Sequence, residues 1–540
     1  MPAELLLADR FGWRRRIMRD SEIAATGDPA AEAAVLSVLD TDGLDSGAHD
    51  TNAIDPDALA HAVEKVEGHF AVIARHGDLC CAIVDHCRST PVFYTNSSVS
   101  NDAHLLRSHQ KLDALDSDGV TDAAMAGFVT GRRTLVAGLH QLEAGGLAIW
   151  RGTSEPEVVR YRTYMPSQFN TRSEDELVEN VLNVLDGAIT RTIEAAAGRP
   201  LWVPLSGGRD SRVLLAKFVE HGYDNLFAFT YGPRGNDEKR AAKTIAERLN
   251  VSWKFVASKP ATMRRFFASP ERSAYWQYCD GLAAVPNFQD LLTLRQFNSS
   301  GALPRDAIIV NGQTGDFISG GHIPAALMSG DSGTGALFDA ITGKHFSLWK
   351  SLKTPDRLAA LRGRVFGQLG IHDGEPLDRD RALALYERFE FDERQAKYVI
   401  NGQRNYEFLE RDWALPLWDR AFVEFWRNVP VEQKYRQKLF RNALDRWNYR
   451  GLFRDFNPQV DQWSGVAKAV LVPSRLIRLT QGPAKRDAFL RYMLYFGMYQ
   501  DQYAPFGYRE FSRQARDLRN PVSLLSRAWL AERDVNAGVP

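Results

Sequence analysis

Short apolar runs separated by polar turns dominate the first 165 residues and predict a β-rich region. Phe70–Ala74 and Leu79–Val84 are two such runs, and the turn Arg75–Asp78 between them is typical of a β-hairpin. The runs Pro91–Tyr94 and Gly146–Trp150 continue the pattern. We therefore expect antiparallel strands over this part of the chain.

The spacing of apolar residues then changes to a helical one. Ser173 and Glu176 have the spacing of a capping box, which predicts a helix from about Ser173 to Ala197. From Pro200 onward short apolar runs alternate with helical segments, and this order predicts a parallel sheet with right-handed crossovers. The strands expected there are Val203–Leu205, Leu226–Thr230 and Ala307–Val310. Beyond about residue 335 the pattern is helical.

Composition is that of a soluble globular protein with more than one domain. The 540 residues exceed what one hydrophobic core usually supports, so two or three domains are expected. Lys and Arg together number 67, as do Asp and Glu, and this balance disfavours nucleic acid or a membrane surface as a general partner. The segment from Asp40 to Asp57 is rich in Asp, Gly, Thr and Asn and predicts a loop.

The four cysteines do not have the number or spacing of a disulfide framework or of a common metal motif. We expect buried free thiols at Cys80, Cys81, Cys87 and Cys279. The segment Met1–Arg10 lacks the basic leader and long apolar stretch of a signal peptide. No run of about 18 apolar residues predicts a membrane span. A cytoplasmic protein is the expectation.

The most informative motif is a Ser-Gly-Gly-x-Asp-Ser turn at Ser206–Ser211, between an apolar strand and a helix. Two adjacent glycines allow a sharp turn that brings backbone N–H groups close to an anion, and the dipole of the following helix favours phosphate. Asp210 can hold Mg²⁺. The turn lacks the Gly-Lys-Ser/Thr ending of a Walker loop and the GxGxxG of a dinucleotide site. It resembles the pyrophosphate loop of the ATP pyrophosphatase superfamily, whose members cleave ATP to AMP and pyrophosphate.

A second glycine-rich turn, Asn311–His322, follows the strand predicted at Ala307–Val310 and contains Asp316. Ligands of open parallel sheets bind beyond the carboxyl ends of the strands, so both turns are expected to face one crevice. Asp210 and Asp316 would then share Mg²⁺ with a bound triphosphate. A plain glycine-rich connection is the alternative interpretation of this second turn.

With these two turns the chain resembles the asparagine synthetase superfamily, which includes β-lactam synthetases, lasso-peptide cyclases and amide ligases of surface-polysaccharide pathways. The segments that carry the resemblance are Glu67–Ala71, Asp85–Tyr94, Thr134–Gly145, Ser206–Ser211, Asn311–Asp316, Asp412–Asp419 and Lys438–Arg441. The resemblance implies an Ntn-like αββα sandwich of the glutamine amidotransferase type over residues 1–165. It implies a parallel-sheet, adenine nucleotide alpha hydrolase-like synthetase domain with a helical C-terminal part over residues 166–540.

The chain departs from the family at residues that matter for catalysis. Pro2 stands where the family has its nucleophilic cysteine, and no cysteine precedes Cys80. The resemblance therefore implies a degenerate amidotransferase-like domain, with nitrogen supplied by ammonia, by a partner glutaminase or by an amine of the substrate. Gln313 replaces an acidic residue and cannot act as a general base. Asp412, at another glutamate position of the family, is one candidate for that role. Arg209 replaces an aliphatic residue, and we expect it to contact an extra anionic group.

By resemblance the chain is an AMP-forming carbon–nitrogen ligase that uses ATP and Mg²⁺. The implied site has pyrophosphate contacts at Ser206, Gly207, Gly208 and Ser211, nucleotide contacts at Leu205, Thr230, Gly232 and Gly312, metal ligands Asp210 and Asp316, and catalytic positions Gln313, Asp412 and Lys438. Lys438 would stabilise the leaving pyrophosphate, with Lys434 as its alternative.

The expected partner is a small-molecule, sugar or peptide carboxylate with ammonia or an amine, and neither nucleic acid nor a membrane. A sugar acid of surface-polysaccharide biosynthesis is the preferred substrate. Asparagine synthetase proper, a lasso-type cyclase and a non-catalytic ATP-binding protein remain alternatives, and a homodimer is left open.

Overall fold

The computed structural model describes residues 3–18, 21–41, 55–167, 172–232, 237–288, 290–330, 332–458, 466–498, 505–535 and 537–538. Met1, Pro2 and most of the loop predicted from Asp40 to Asp57 lie outside these residues, while the two ends of that loop belong to helices. None of the helices in this part of the chain has the length and apolar character that a membrane crossing requires.

Two sheets precede residue 165 and pack face to face. The first has the strand order β1 (Glu4–Leu6), β7 (Ser98–Ser100), β6 (Phe93–Tyr94), β8 (His140–Gln141). The second has the order β10 (Glu157–Arg160), β9 (Gly146–Arg151), β5 (Leu79–Val84), β4 (Phe70–His76), β3 (Ser21–Gly27), β2 (Arg14–Ile17). An apolar cluster that includes Ile73, Val99 and Trp150 joins the two inner faces. The predicted hairpin of β4 and β5 is confirmed.

Helices cover the outer faces of this sandwich. Val35 of α1 (Pro29–Thr41) and Leu59 of α2 (Pro56–Glu64) pack in one cluster with Val72 of the second sheet. Leu106 of α3 (Ala103–Gln110) packs against Phe93 of the first sheet. A further helix, α4 (Ser117–Ala126), follows. The layers are thus helix, sheet, sheet, helix.

The third sheet is entirely parallel. Its order is β13 (Ser252–Ala257), β12 (Leu226–Gly232), β11 (Leu201–Pro204), β14 (Ile308–Val310), β15 (Asp412–Ala414). One face packs against α5 (Glu174–Ala196), α6 (Arg209–Glu220) and α7 (Asp237–Leu249), and the other against α10 (Leu291–Ser299). The predicted capping box is confirmed, since Ser173 and Glu176 bond reciprocally at the start of α5. The predicted parallel sheet is also confirmed.

The rest of the chain is mainly helical, as its pattern predicts. Its helices are α8 (Pro260–Phe267), α9 (Pro270–Cys279), α11 (Gly315–Ile318), α12 (Ala325–Met328), α13 (Gly333–Lys344), α14 (Pro355–Leu369), α15 (Arg379–Phe389), α16 (Arg404–Phe408), α17 (Arg420–Arg427), α18 (Val431–Lys434), α19 (Lys438–Trp447), α20 (Val466–Gln481), α21 (Pro483–Met498), α22 (Tyr508–Gln514) and α23 (Pro521–Ala531). A π-helical stretch, Glu390–Val399, continues α15. Such stretches are often found at functional sites.

Apolar packing runs across the boundary predicted at residue 165. The cluster around Trp276 and Trp529 also contains Phe128 and Leu135 from the earlier part of the chain. Two nearly parallel hydrogen bonds of 2.6 and 2.7 Å join the Arg160 guanidinium to the Asp392 carboxylate. The part of the chain before residue 165 is therefore in direct contact with the helical part that follows the parallel sheet.

Candidate functional site

The two glycine-rich turns leave neighbouring strands of the parallel sheet. From β11 the chain first adds β12 and β13 on one side and later adds β14 and β15 on the other. The strand order therefore reverses between β11 and β14, which is where ligands of open parallel sheets bind. The turn after β11 begins at Leu205, and the turn after β14 begins at Asn311. The structure thus brings the two predicted turns to one place.

The first turn leads directly into the N-terminus of α6. The Ser206 N–H donates to Oγ of Ser211 at 3.0 Å, and the two hydroxyl oxygens lie 3.1 Å apart. Gly208 is the N-cap residue of α6, and among the described residues no side chain caps this helix. The first N–H groups of α6 are therefore available to an anion.

The second turn packs so closely on the first that only glycine fits at two positions. A Cβ on Gly315 would lie 2.5 Å from Cγ of Asp210, and one on Gly312 would lie 3.0 Å from the Ser211 nitrogen. The Asp316 backbone N–H also donates to the Asp210 carboxylate. Asp210 and Asp316 are therefore neighbours, as the sequence predicts.

The charges of this pair repel each other. Burial and the negative charge of Asp316 raise the pKa of Asp210 to about 7. Burial also acts to raise the pKa of Asp316, but the hydrogen bond and positive charge of His322 outweigh it and lower that pKa. Two carboxylates with hydroxyl groups beside them form the oxygen-rich donor set that Mg²⁺ prefers. A divalent cation would remove the repulsion, so these residues fit the predicted metal.

His322 is part of the site, although its position in the second turn predicts no role for it. Its Nε2 lies 3.0 Å from Asp316 Oδ2 and its Nδ1 lies 2.5 Å from Glu390 Oε1. Burial alone would lower the pKa of His322, but the two carboxylates raise it to about 9. The Lys344 Nζ lies 3.2 Å from the other oxygen of Glu390. His322 is therefore an imidazolium that orients Asp316.

Two arginines lie beside the first turn. Burial and the positive charge of Arg441 lower the pKa of Arg209, and the buried Nε of Arg209 has no hydrogen-bond partner. Arg441 belongs to the exposed side of α19. Guanidinium groups in mutual repulsion are well suited to a polyanion. Arg441 lies in the segment Lys438–Arg441 that resembles the family. In that segment the resemblance implies a contact with pyrophosphate for Lys438 and none for Arg441.

Asp412 lies away from the two glycine-rich turns. Asp412 begins β15 and is paired with Ile308, which begins β14, so it lies at the amino edge of the sheet. The turns that hold Asp210 and Asp316 leave the opposite edge. The Asp412 carboxylate forms an ion pair with Arg199. Asp412 is therefore not a neighbour of Asp210 and Asp316, and its role as one candidate for the general base stays a prediction.

Three other predicted residues, Lys438, its alternative Lys434 and Gln313, each form a hydrogen bond or ion pair with a neighbouring side chain. Nζ of Lys438 lies 2.9 Å from Glu174 Oε2, and Lys434 is buried in an ion pair with Glu387. Within the described residues neither lysine forms a hydrogen bond or ion pair with Asp210 or Asp316, so the predicted phosphate role of Lys438 stays a prediction. Gln313 Oε1 accepts a hydrogen bond from Nε2 of Gln403 at 2.8 Å.

The nucleotide contacts predicted at the ends of β11 and β12 also remain predictions. The Thr230 hydroxyl donates to the Leu205 carbonyl at 2.6 Å, and this bond fastens the two strand ends together. Gly232 ends β12, and the four residues after it lie outside the described part of the chain.

Comparisons with known proteins give little further information. No protein-family model matches the chain, and no curated protein matches it. One similar solved structure is glutamine phosphoribosylpyrophosphate amidotransferase from B. subtilis, complexed with ADP and GMP. The two share 11% identity over 55% of this chain and 63% of the other, with a TM-score of 0.15. This chain thus spans less than two thirds of the other, and a TM-score of 0.15 does not establish a shared fold.

Proposed function

We propose that this chain is an ATP-dependent amide ligase that joins a carboxylate to ammonia or an amine and releases AMP and pyrophosphate. The observation that carries the proposal is the meeting of Asp210 and Asp316 at the point where the strand order of the parallel sheet reverses. The resemblance of Ser206–Ser211 to a pyrophosphate loop supplies the reaction class.

The proposed reaction has two steps. In the first, a carboxylate oxygen of the substrate bonds to the α-phosphorus of ATP, and the bond from that phosphorus to pyrophosphate breaks. In the second, a nitrogen lone pair attacks the acyl carbon, AMP leaves, and the nitrogen loses a proton. Catalysis of both steps depends mainly on positioning and on neutralising the polyphosphate charge.

The residues divide this work between them. The glycine turn and the uncapped N-terminus of α6 would bind pyrophosphate, with Arg209 and Arg441 as positive charges beside it. Asp210 and Asp316 would hold Mg²⁺, which when bound neutralises phosphate oxygens. His322 keeps the Asp316 carboxylate in position.

The nitrogen nucleophile is proposed to enter in its neutral form. Gln313 has no proton-accepting group, and His322 is already protonated at neutral pH because its pKa is about 9. Asp412 lies at the other edge of the sheet. In this proposal, therefore, neither Gln313 nor His322 nor Asp412 supplies a base for the nitrogen nucleophile. Free ammonia or a weakly basic amine fits this arrangement better than an alkylammonium ion.

The N-terminal sandwich is proposed to be an Ntn-like domain without glutaminase activity. Its helix–sheet–sheet–helix layers support the fold, and the burial of its thiols Cys80, Cys81 and Cys87 supports the loss of an exposed nucleophile. We therefore expect ammonia, and not glutamine, to support amide formation by the pure chain. Glutaminase activity of the pure chain would contradict this part of the proposal.

Pyrophosphate release tests the proposed function. A panel of carboxylic acids, with sugar acids among them, is screened with ATP, Mg²⁺ and ammonia for the release of both AMP and pyrophosphate. With an active acid, Asp210→Asn and Asp316→Asn should each lower the rate by about two orders of magnitude or more, since each removes a metal ligand.

Asp412→Asn is the matched control. It removes a carboxylate of the same sheet at the opposite edge, so pyrophosphate release should stay within about threefold of wild type. Equal losses in Asp412→Asn and Asp210→Asn would contradict the placement of the site. Binding of ATP without pyrophosphate release for any acid would favour a non-catalytic ATP-binding protein.

A further inference from the structure

Three side chains with metal-binding atoms form a triangle outside the proposed ligase site. His69 Nδ1 lies 3.7 Å from Cys87 Sγ and 3.8 Å from Asp85 Oδ2, and Cys87 Sγ lies 3.3 Å from Asp85 Oδ1. The three ligand atoms all lie within 4.8 Å of one another. Asp85 and Cys87 are fully buried, and His69 is partly exposed.

The β4–β5 hairpin brings these residues together. His69 immediately precedes β4 and Asp85 immediately follows β5, and the two strands are antiparallel partners with Ala71 opposite Val84. The open end of the hairpin therefore places His69 beside Asp85 and Cys87. Eighteen residues separate His69 from Cys87, so their spacing in the sequence does not have the form of a common metal motif.

The distances from the Cys87 thiol to the His69 imidazole and to Asp85 Oδ1 match edges of a metal coordination tetrahedron, while the imidazole lies nearer the other carboxylate oxygen, Oδ2. Bonds of about 2.0 to 2.3 Å from a tetrahedral zinc ion separate its ligand atoms by about 3.3 to 3.8 Å. One thiol, one imidazole and one carboxylate are a suitable donor set for a borderline ion such as Zn²⁺. With one oxygen of Asp85 as ligand, the three ligand atoms lie within 4.8 Å of one another, and a small rotation of the His69 ring or the carboxylate would close them around an ion.

The same geometry disfavours a catalytic thiol. In a Cys-His-Asp triad the carboxylate orients one imidazole nitrogen while the other nitrogen faces the thiol. Here Asp85 and Cys87 both face Nδ1 of His69. Burial and the nearby Asp85 carboxylate also raise the pKa of the Cys87 thiol, so without a cation it is not an activated nucleophile.

Surrounding groups hold the ligands in place. The Asp85 carboxylate accepts backbone N–H bonds from Phe70 at 2.8 Å and from Cys87 and Ser89 at 3.0 Å each, and it also accepts the Ser89 hydroxyl. Bonds of this kind orient metal ligands. The His69 ring lies 5.6 Å from the Trp413 ring and 6.0 Å from the His86 ring, centroid to centroid.

The cluster has a path to solvent. His69 borders a cavity of about 690 Å³ between the β-sandwich and the amino edge of the parallel sheet. Asp412 and Trp413 border the same cavity from the other side. An ion can enter past His69, and a water molecule from the cavity can complete the tetrahedron.

We propose that His69, Asp85 and Cys87 bind one zinc-type divalent ion, with Cys87 as a thiolate whose proton passes to solvent and with the fourth coordination position facing the cavity. This site is separate from the proposed Mg²⁺ site at Asp210 and Asp316, and it does not depend on the ligase proposal.

Cobalt binding tests the site in the full chain. The purified protein is freed of metal with a chelator and titrated with Co²⁺, whose bond to a thiolate gives a charge-transfer absorption band. We expect one Co²⁺ per chain with this band, and loss of the band when Zn²⁺ is added. Cys87→Ser should abolish the band, and His69→Gln should weaken Co²⁺ binding by about tenfold or more.

Two controls separate this site from other binding. Cys279→Ser removes another buried free thiol, and His221→Ala disrupts the Asp186–Glu220–His221 group, which has no thiol and whose carboxylates pair with Lys217, so both should keep the band. Circular dichroism checks that each variant is folded. Absence of the band in the wild type, or its persistence in Cys87→Ser, would overturn the proposal. If Cys87→Ser does not fold, unchanged Co²⁺ affinity in folded His69→Gln would overturn it equally.

Discussion

Gly315 is the residue on which the spacing of the two glycine-rich turns most directly depends. A Cβ there would lie 2.5 Å from Cγ of Asp210 and 2.7 Å from Cδ1 of Leu417. Both distances are shorter than a van der Waals contact, and closely packed side chains can move only slightly to relieve them. Gly315→Ala should therefore displace Asp210 and lower substrate-dependent pyrophosphate release by about tenfold or more. The measurement is the initial rate of pyrophosphate release with saturating ATP.

Gly343→Ala is the control for this substitution. Gly343 lies in α13, and a Cβ on it would meet no atom within 4 Å. This variant should keep the wild-type rate. A wild-type rate in Gly315→Ala as well would show that the position of Asp210 does not govern the reaction.

His345 makes the stability of the fold depend on pH. It is fully buried, and burial lowers its pKa to about 3, although the nearby Glu390 acts to raise it. Between that value and the usual 6.5, the unfolded chain binds a proton that the folded chain does not. The free energy of unfolding therefore falls as the pH drops below 6.5, by about 2 kcal/mol at about pH 5.

Urea unfolding at about pH 7 and about pH 5 measures this contribution. In His345→Leu the difference between the two pH values should be smaller by about 2 kcal/mol, since leucine fills a similar volume without titrating. The Tyr386 hydroxyl, which contacts His345, keeps its bond to Glu390 Oε2 at 3.2 Å. An unchanged difference would mean that folding does not lower the pKa of His345.

At the residue scale, site residues that lie in a recognisable local motif can be predicted from the sequence. Site residues whose partners lie far away in the chain cannot. Asp210 and Asp316 could be predicted because each follows an apolar strand in a glycine turn. His322 could not, because its partner Glu390 lies 68 residues away in a π-helical stretch. The position of Asp412 in the sheet could not be predicted, because a motif resemblance does not show which end of a strand a residue occupies.

At the scale of elements, α14 offers a test of helix formation without packing effects. It begins after the cap residue Thr354 and ends at Gly370, whose φ of +69° suits glycine. Gly363 and Gly367 are exposed within it, and a Cβ on either would meet nothing within 4 Å. Alanine at either position should raise the free energy of unfolding by about 0.5–1 kcal/mol, because alanine is the better helix former.

Thermal unfolding compares these two variants with Gly370→Ala. The latter should lower the free energy of unfolding by about 1 kcal/mol, because alanine must then adopt a left-handed conformation. Destabilisation by Gly363→Ala would show that the exposed face of α14 is covered in solution.

Strands with continuous apolar runs were predicted, and strands with mixed patterns were not. β5 and β14 are fully buried and are clear in the sequence. β13 alternates exposed and half-buried residues at the edge of the sheet, and β15 is three half-buried residues long. Their strand character comes from pairing with β12 and β14, which no local pattern records.

At the scale of the whole molecule, the β-sandwich and the remainder share one interior. The cluster around Trp276 and Trp529 takes Phe128 and Leu135 from the part of the chain before residue 165. Arg364 also donates at 2.6 and 2.8 Å to Asp118 and Asp122 of α4. A domain boundary placed where the apolar pattern of the sequence changes takes no account of such contacts.

This sharing predicts that residues 166–540 do not fold alone. Each large apolar side chain that loses its buried partners costs about 2–5 kcal/mol, and a few such losses exceed the usual 5–15 kcal/mol of total stability. Expressed alone, the fragment should aggregate or lack a cooperative thermal transition, whereas co-expression with residues 1–165 should yield a soluble complex. A soluble 166–540 fragment with its own sharp transition would show that the contacts across residue 165 join two independently stable domains.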